Sequence, residues 1–221
     1  MIGVLQFPGS NCDLDIIHVI GHVLKEDVKL VFFKEQDLSG LDGLVIPGGF
    51  SYGDHLRAGA IAAKMPVMER VKRMAKEGKP ILGICNGFQI LCDSGLLPGA
   101  LAKNVSMKFV CKWVELEVNN NSSAFTNLYR RGETIRMPIA HGEGRYFCDD
   151  ATLKTLQDNG QIAFRYVDNP NGSLADIAGI CNREGNVLGL MPHPERCSER
   201  ILGGEDGIRV FEAMLNYIKS K

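Results

Sequence analysis

The chain has 221 residues, 45% of them hydrophobic, which is enough to bury the core of one α/β domain. Its 25 basic and 26 acidic residues give a net charge of -1 without any block of like charge, which argues against nucleic acid and against a membrane surface as partners. Seven cysteines, an odd number without a CxxC pair, argue against a disulfide framework and against a zinc site. We therefore expect reduced thiols, a cytoplasmic protein, and small molecules or proteins as partners.

The N-terminal segment does not have the pattern of a targeting signal. The apolar run of residues 2–7 is followed at once by Pro8, Gly9 and Ser10, and nowhere do eighteen apolar residues follow one another. We expect a protein that is neither secreted nor membrane-spanning.

Strands and helices alternate in the first half of the chain. Short apolar runs at residues 2–7, 28–33, 43–46 and 81–84 predict strands, and apolar spacing predicts helices over 11–24 and 67–76. Nearly continuous apolar strands between amphipathic helices indicate a parallel sheet that is covered on both faces. The fold class is therefore α/β, a single domain over residues 1–221 with a mostly parallel, doubly wound sheet.

The second half has a different pattern. Apolar and polar residues alternate over 113–118 and 134–139, as in strands with one wetter face, and further strands are predicted at 161–167, 176–181 and 187–191. Residues 182–186 form a predicted hairpin turn between the last two, and residues 207–220 a final helix. An antiparallel portion is therefore added to the parallel sheet.

One cysteine stands between two glycines, where a predicted strand ends and a helix begins. Gly83-x-Cys85-x-Gly87 has the layout of a nucleophile elbow, a tight turn whose glycines let strand and helix pass close together. The helix start favours a thiolate at Cys85, and the N–H of Asn86 is available to an oxyanion. We read Cys85 as a nucleophile and expect the other six cysteines, Cys12 among them, to be small buried residues.

A nucleophilic cysteine needs a base and a group that orients the base. His193 follows a predicted strand, so it should emerge at the carboxyl edge of the sheet beside the elbow. Pro192 and Pro194 favour an extended backbone before each of them, which places His193 and Glu195 on the same side of the chain. His18 and His22, four residues apart on the first helix, have no carboxylate arranged to serve them.

Two glycine-punctuated loops follow other predicted strands. The loop of residues 47–54 should project at the same edge, with Gly49 or Phe50 as a second oxyanion donor. The loop of residues 140–145 suits a zwitterionic ligand, although a solvated turn explains it equally well. The chain has no GxxxxGK[ST], GxGxxG or HExxH motif, so nothing indicates an ATP, dinucleotide or metal site within it.

These motifs resemble those of class I, triad-type glutamine amidotransferases, which have a flavodoxin-like fold. The longer strings narrow the resemblance to the glutaminase subunits of phosphoribosylformylglycinamidine synthase, an enzyme of purine synthesis. They are FPGSNCD at 7–13, PGGFSYGDHLRAGAIA at 47–62, GICNGFQIL at 83–91, AHGEGR at 140–145 and MPHPER at 191–196. The resemblance covers essentially the whole chain.

The resemblance implies a catalytic triad of Cys85, His193 and Glu195, with Gly49 and Asn86 as oxyanion donors. It also implies that Gln89, His141 and Arg145 line a glutamine pocket. A free-standing glutaminase subunit of this kind works with a separate synthetase subunit and a small third subunit. ATP and magnesium are then expected on the synthetase, and this chain needs no cofactor of its own.

Two other functions remain open at this point. One is a stand-alone cysteine hydrolase of γ-glutamyl substrates on a related fold, which would turn over γ-glutamyl peptides without a partner. The other is a catalytically silent regulatory subunit, which the intact set of Cys85, His193 and Glu195 argues against.

Overall fold

The computed structural model describes residues 1–35 and 37–221 as a large mixed sheet with helices against it. Its strands are β1 (Ile2–Gln6), β2 (Val28–Phe32), β3 (Gly43–Ile46), β4 (Ile81–Ile84), β5 (Ala100–Ala102), β6 (Val110–Val118), β7 (Thr134–His141), β8 (Arg145–Phe147), β9 (Ile162–Tyr166), β10 (Ile177–Cys181) and β11 (Val187–Leu190). Its α-helices are α1 (Asp13–Ile17), α2 (Val67–Lys76), α3 (Asn86–Asp93), α4 (Asp150–Asp158) and α5 (Ile208–Lys219).

Nine of these strands form one sheet in the order β2-β1-β3-β4-β11-β10-β9-β6-β7. From β2 to β11 every neighbouring pair is parallel, and from β11 to β7 every neighbouring pair is antiparallel. The predicted α/β class, the doubly wound parallel part and the added antiparallel portion are confirmed. β11 belongs to both parts, because it pairs with β4 on one side and with β10 on the other.

The parallel strands are apolar because both of their faces are covered. Every residue of β3, β4 and β11 is buried, as expected for strands between layers of helices. Helix α3 follows β4 after a single residue, which fixes the direction in which α3 leaves the sheet. The predicted hairpin between β10 and β11 is confirmed, with Cys181 opposite Leu188.

The first predicted helix is divided in two. The α-helical part ends at Ile17, and His18–Val23 continues as a wider π-helical turn. Gly21 stands on this turn, and a side chain there would come within 3.1 Å of Val28 on β2. The wider turn therefore lies where the helix passes close to the edge strand.

Three elements lack a signal in the sequence analysis. Helix α4 has an N-cap, since Asp149 Oδ1 accepts a hydrogen bond from the Thr152 N–H at 2.7 Å, but among its residues only Leu156 is buried. The short strands β5 and β8 pair with each other in a separate two-stranded sheet.

None of the helices within the described residues has the length and hydropathy needed to cross a bilayer.

Candidate functional site

The nucleophile elbow is present between β4 and α3. Cys85 is the N-cap residue of α3 and has φ +50° and ψ -103°, a backbone conformation that residues with a side chain seldom adopt. The turn is held because Cys85 N–H donates to Leu190 O at 2.8 Å and Gln89 N–H donates to Cys85 O at 3.2 Å. This strain places the sulfur at the start of α3, where first-turn N–H groups have no partner within the helix.

The two glycines of the motif have steric roles. A Cβ on Gly83 would stand 2.5 Å from Leu91 and 2.7 Å from the carbonyl oxygen of Gly87. A Cβ on Gly87 would stand 2.0 Å from the carbonyl oxygen of Ile46. The elbow therefore depends on two close approaches without side chains, of β4 to helix α3 at Gly83 and of α3 to the end of β3 at Gly87.

The predicted base and its orienting group meet beside Cys85. His193 is extended, with φ -104° and ψ 91°, and its Nδ1 lies 2.6 Å from Glu195 Oε1. The backbone N–H of His193 donates to Pro138 O at 2.8 Å, which ties this segment to β7. Both residues are 2% exposed, and Nε2 of His193 has no hydrogen-bond partner among the residues that the structure describes. The imidazole is therefore fixed by Glu195, with its second nitrogen available for proton transfer.

The environment of His193 favours the charged imidazole. Burial by itself lowers the pKa of His193, but the charge of Glu195 and the interactions with Cys85 and Cys12 outweigh burial. The pKa of His193 therefore lies well above its usual value, and the residue holds a proton that it can give to a leaving group.

The glycine loop after β3 supplies one candidate oxyanion donor. Phe50 N–H donates to Gly9 O at 2.8 Å, so of the two predicted donors Gly49 is the one left for an oxyanion. Gly49 has φ +146° and lines a cavity of about 250 Å³ together with Cys85 and His193. Asn86 is buried directly after the nucleophile. Their roles as donors stay predictions.

Gln89 joins the elbow to the loop that follows β7. Its Nε2 donates to Glu143 O at 2.6 Å, and its Oε1 accepts from Asn86 Nδ2 at 2.9 Å. Asn86 Oδ1 in turn accepts from the Ser51 N–H at 3.2 Å. Gln89 therefore positions two loops around Cys85, and its predicted place in the glutamine pocket is not tested by these contacts.

His141 ends β7 and is held by Asn104, which no sequence pattern indicates. Its Nδ1 lies 3.1 Å from Asn104 Oδ1, which also accepts from the Gly144 N–H at 3.1 Å. Asn104 Nδ2 donates to His141 O and to Lys108 O, both at 2.9 Å. Burial, together with the charge of His193, lowers the pKa of His141 to about 4. His141 is therefore neutral near neutral pH.

Arg145 begins β8 and pairs with Ala102 across the small sheet. Its Nε is buried without a partner among the described residues. Among those residues, the lining of the 250 Å³ cavity includes Ala140 but none of Gln89, His141 and Arg145. The prediction that these three residues bind glutamine remains untested.

Several residues that line this cavity were not predicted. Cys12 and Asn11 come from the segment after β1, Phe109 precedes β6, and Arg196 follows the triad glutamate. Cys12 is buried as expected, but its neighbours are polar: Cys12 Sγ lies 3.9 Å from His193 Nδ1 and accepts from Arg196 Nη2 at 3.0 Å. The sequence signal for this position is that Cys12 follows β1, the strand next to β3, so it emerges at the same edge of the sheet.

Two smaller expectations are corrected. Cys111 is exposed and not buried, because it lies on β6, where alternate side chains face outward. His18 does have a carboxylate partner, since its Nε2 lies 2.8 Å from Glu199 Oε1. Glu199 is distant in sequence, so helical spacing alone could not reveal this pair.

Comparison with known proteins assigns this arrangement to a family. Residues 1–217 match the model of the CobB/CobQ-like glutamine amidotransferase domain. Two relatives, phosphoribosylformylglycinamidine synthase subunit PurQ from Methanosarcina acetivorans and from Methanosarcina barkeri, are each 55% identical over 98% of this chain and 97% of their own. Among solved structures, a chain in the structure of PurLQS from Thermotoga maritima has a TM-score of 0.90 and 48% identity, with 98% of each chain covered.

Proposed function

This chain belongs to the CobB/CobQ-like glutamine amidotransferases, and within them to the PurQ subunits of phosphoribosylformylglycinamidine synthase, and on that premise we propose how its residues act. It is a glutaminase subunit, which releases ammonia from glutamine for the synthase. The observation that carries the residue assignment is the strained Cys85 in one cavity with His193, whose imidazole is fixed by Glu195 at 2.6 Å.

Cys85 begins the reaction. Its thiolate attacks the side-chain amide carbon of glutamine, and the carbonyl oxygen takes the negative charge. The N–H groups of Gly49 and Asn86 hold this oxyanion. As the tetrahedral intermediate collapses, His193 gives its Nε2 proton to the nitrogen, the carbon–nitrogen bond breaks, and ammonia leaves a γ-glutamyl thioester on Cys85.

Water completes the cycle. His193, now neutral at Nε2, takes a proton from a water molecule that attacks the thioester carbon. The carbon–sulfur bond breaks, glutamate leaves, and Cys85 returns to the thiolate beside the imidazolium. Glu195 keeps Nδ1 protonated throughout, so the same nitrogen of His193 gives and takes the proton in both halves of the reaction.

The glutamine pocket is proposed on the side of the loop after β7. Gln89 holds the carbonyl of Glu143, and Asn104 holds His141 and Gly144, so the backbone of this loop is fixed beside Ala140 at the cavity wall. We place His141 and Arg145 of this loop against the bound amino acid. Neutral His141 contributes hydrogen bonding there and no charge.

The partners are the synthetase subunit and a small third subunit, as in the PurLQS structure of the Thermotoga maritima relative. We propose that ATP and magnesium act on the synthetase, where ammonia converts formylglycinamide ribonucleotide to formylglycinamidine ribonucleotide. The half-exposed rings of Phe50 and Phe109, 6.5 Å apart, stand at the cavity and suit contact with a partner. We also propose a cytoplasmic location, which the seven free cysteines support.

The test is a glutaminase assay with and without the two partner subunits and the ribonucleotide substrate. Cys85→Ala should abolish ammonia release and labelling by a glutamine-derived chloroketone, whereas Cys111→Ser, which changes an exposed thiol, should retain both. Partners and nucleotide should strongly activate the wild type. Glutamine hydrolysis by Cys85→Ala would contradict the mechanism, and rapid turnover of γ-glutamyl peptides by the isolated chain would favour a stand-alone hydrolase.

A further inference from the structure

Cys12 has a place in the site that the hydrolysis of glutamine does not explain. It stands at the N-cap position of α1 without a side-chain cap hydrogen bond and is 1% exposed, yet polar groups surround its sulfur. Cys12 Sγ donates to Asn11 Oδ1 at 3.1 Å, accepts from Arg196 and contacts His193. Cys12 contacts Nδ1 of His193, whereas the proton transfers of glutamine hydrolysis use Nε2. Its buried thiol therefore has polar neighbours but no role in that reaction.

Cys12 comes close to His193 because of one glycine. The point where a Cβ of Gly48 would stand is 3.1 Å from Cys12 Sγ and 2.8 Å from His193 Cε1. Any other residue at position 48 would fill this space. The segments after β1, β3 and β11 therefore converge on one point through a position without a side chain.

The geometry points to a binding site for a zinc-like divalent transition metal ion at Cys12, His193 and Glu195. We propose that such an ion, bound there, switches the glutaminase off. One donor atom from each residue lies within 4.8 Å of the other two, and all three side chains are buried. The site rests on these positions, and only its effect on activity rests on the proposed function.

The donors match what zinc prefers. Zinc binds thiolate sulfur at about 2.3 Å and imidazole nitrogen or carboxylate oxygen at about 2.0 to 2.2 Å, in a tetrahedron. The 3.9 Å between Cys12 Sγ and His193 Nδ1 already suits two such ligands of one ion. His193 Nδ1 and Glu195 Oε1, 2.6 Å apart, would have to separate slightly as the ion takes the place of the shared proton. A water molecule would complete the tetrahedron.

Arg196 is the cation that a metal ion would have to displace. Its guanidinium bonds Cys12 Sγ at 3.0 Å, but 39% of its side chain is exposed and its Nε lies 3.6 Å from Asp15. The guanidinium can therefore turn away from Cys12 and keep both a carboxylate partner, Asp15, and contact with solvent. His193, Glu195 and Arg196 also line a second cavity of about 480 Å³, which offers an approach from outside.

Metal binding would block catalysis through the tautomer of His193. An ion on Nδ1 displaces the proton that Glu195 holds there, and the thiol of Cys12 releases its proton to solvent. The imidazole then keeps only its Nε2 proton, and a neutral, metal-bound ring holds that proton far more tightly than the imidazolium does, so His193 no longer gives it to the leaving nitrogen. Inhibition should therefore be reversible and should not compete simply with glutamine.

Cobalt(II) tests the site directly, because thiolate ligation gives an intense charge-transfer band in the near ultraviolet. The full-length chain, freed of metal with a chelator and kept under a non-thiol reductant, is titrated with Co²⁺ and then with Zn²⁺ in competition. We expect one equivalent of Co²⁺ and a thiolate band in the wild type, in Cys111→Ser and in Cys85→Ser. Cys12→Ser should lose the band and bind at least about tenfold more weakly.

The spectrum separates this inference from the catalytic proposal, since it needs no turnover. A band that persists in Cys12→Ser and disappears in Cys85→Ser would overturn the site, and so would the absence of a band in the wild type. In the complex with its partner subunits, Zn²⁺ should inhibit the wild-type glutaminase, and a chelator should restore its activity. Inhibition of Cys12→Ser should need at least about tenfold more Zn²⁺. Equal zinc sensitivity of the two proteins would show that zinc acts elsewhere.

Discussion

The parallel and antiparallel parts of the sheet contribute different things to one site. The parallel part supplies the proposed catalytic groups on the turns that follow its strands, Cys85 after β4 and His193 after β11, together with the predicted oxyanion donor Gly49 after β3. The antiparallel part supplies support, since Pro138 O on β7 holds the backbone of His193 and Asn104 holds the loop after β7. The positions of Cys85 and His193 thus depend on backbone segments that approach closely at glycines. The loop after β7, which forms the pocket wall, depends on buried hydrogen bonds.

The sharpest test of the parallel part is Gly87→Ala. The new Cβ would stand 2.0 Å from Ile46 O, which is backbone and cannot turn away. We expect the free energy of unfolding to fall by about 3 kcal/mol or more and chloroketone labelling of Cys85 to be lost. Urea unfolding and mass spectrometry measure both. Gly40→Ala is the matched control, because nothing lies within 4 Å of a Cβ there, and equal stability of the two variants would refute the steric argument.

The next largest effect is expected for Glu195→Gln, which removes a charge and keeps the shape. We expect kcat to fall by about 10² to 10⁴-fold, because the amide no longer fixes the tautomer of His193. Without the carboxylate, burial dominates and the pKa of His193 falls, so the pH profile of kcat/KM should move to lower pH. Glu199→Gln, which changes the partner of His18, should keep the wild-type profile.

Glu195→Gln also changes how the free energy of unfolding depends on pH. In the wild type the pKa of His193 is raised on folding, so its contribution to stability is present below about pH 6.5 and is lost as pH rises through the raised value. Denaturant unfolding of Glu195→Gln should lack this loss on the alkaline side. An unchanged dependence of the free energy of unfolding on pH would contradict the conclusion that Glu195 raises the pKa of His193.

On the antiparallel side we expect a smaller effect, from Asn104→Ala. The change leaves the Gly144 N–H, His141 Nδ1 and two carbonyl groups without their partner. The free energy of unfolding should fall by about 3 kcal/mol, and KM for glutamine should rise more than kcat falls. Asn121→Ala, which removes one 3.3 Å bond in the same part of the chain, should cost less than about 1 kcal/mol. A kcat loss at constant KM would place Asn104 in the chemistry instead.

The smallest effect is a pH dependence at His141. Its pKa is 6.5 in the unfolded chain and about 4 when folded, so the unfolded state binds more protons and stability falls as pH decreases between these values. From about pH 7 to about pH 5 the wild type should lose about 2 kcal/mol more than His141→Gln. His22→Gln on the surface is the control. Parallel pH curves for wild type and His141→Gln would disprove a buried neutral His141.

The two parts also differ in how far the sequence predicts them. In the parallel part, apolar strands end at glycine-rich turns, and carboxyl-edge topology brings Cys85 and His193 together without further information. The same rule applies to Cys12, which follows β1 beside β3, whereas its residue type alone indicates only a buried thiol. In the antiparallel part, Asn104 acts through bonds to residues nearly forty positions away, and α4 buries too little apolar surface to show a periodic pattern.

The position of β11 has a consequence for how the chain is made. β11 is the last strand in the chain, yet it lies fifth in the sheet and joins the two parts. Until it emerges from the ribosome, β4 and β10 have unpaired edges toward each other, and the segment with His193 has not been synthesised. About half of the protein is therefore translated after Cys85 before its base exists, and the pairing of β11 both closes the sheet and brings His193 to Cys85.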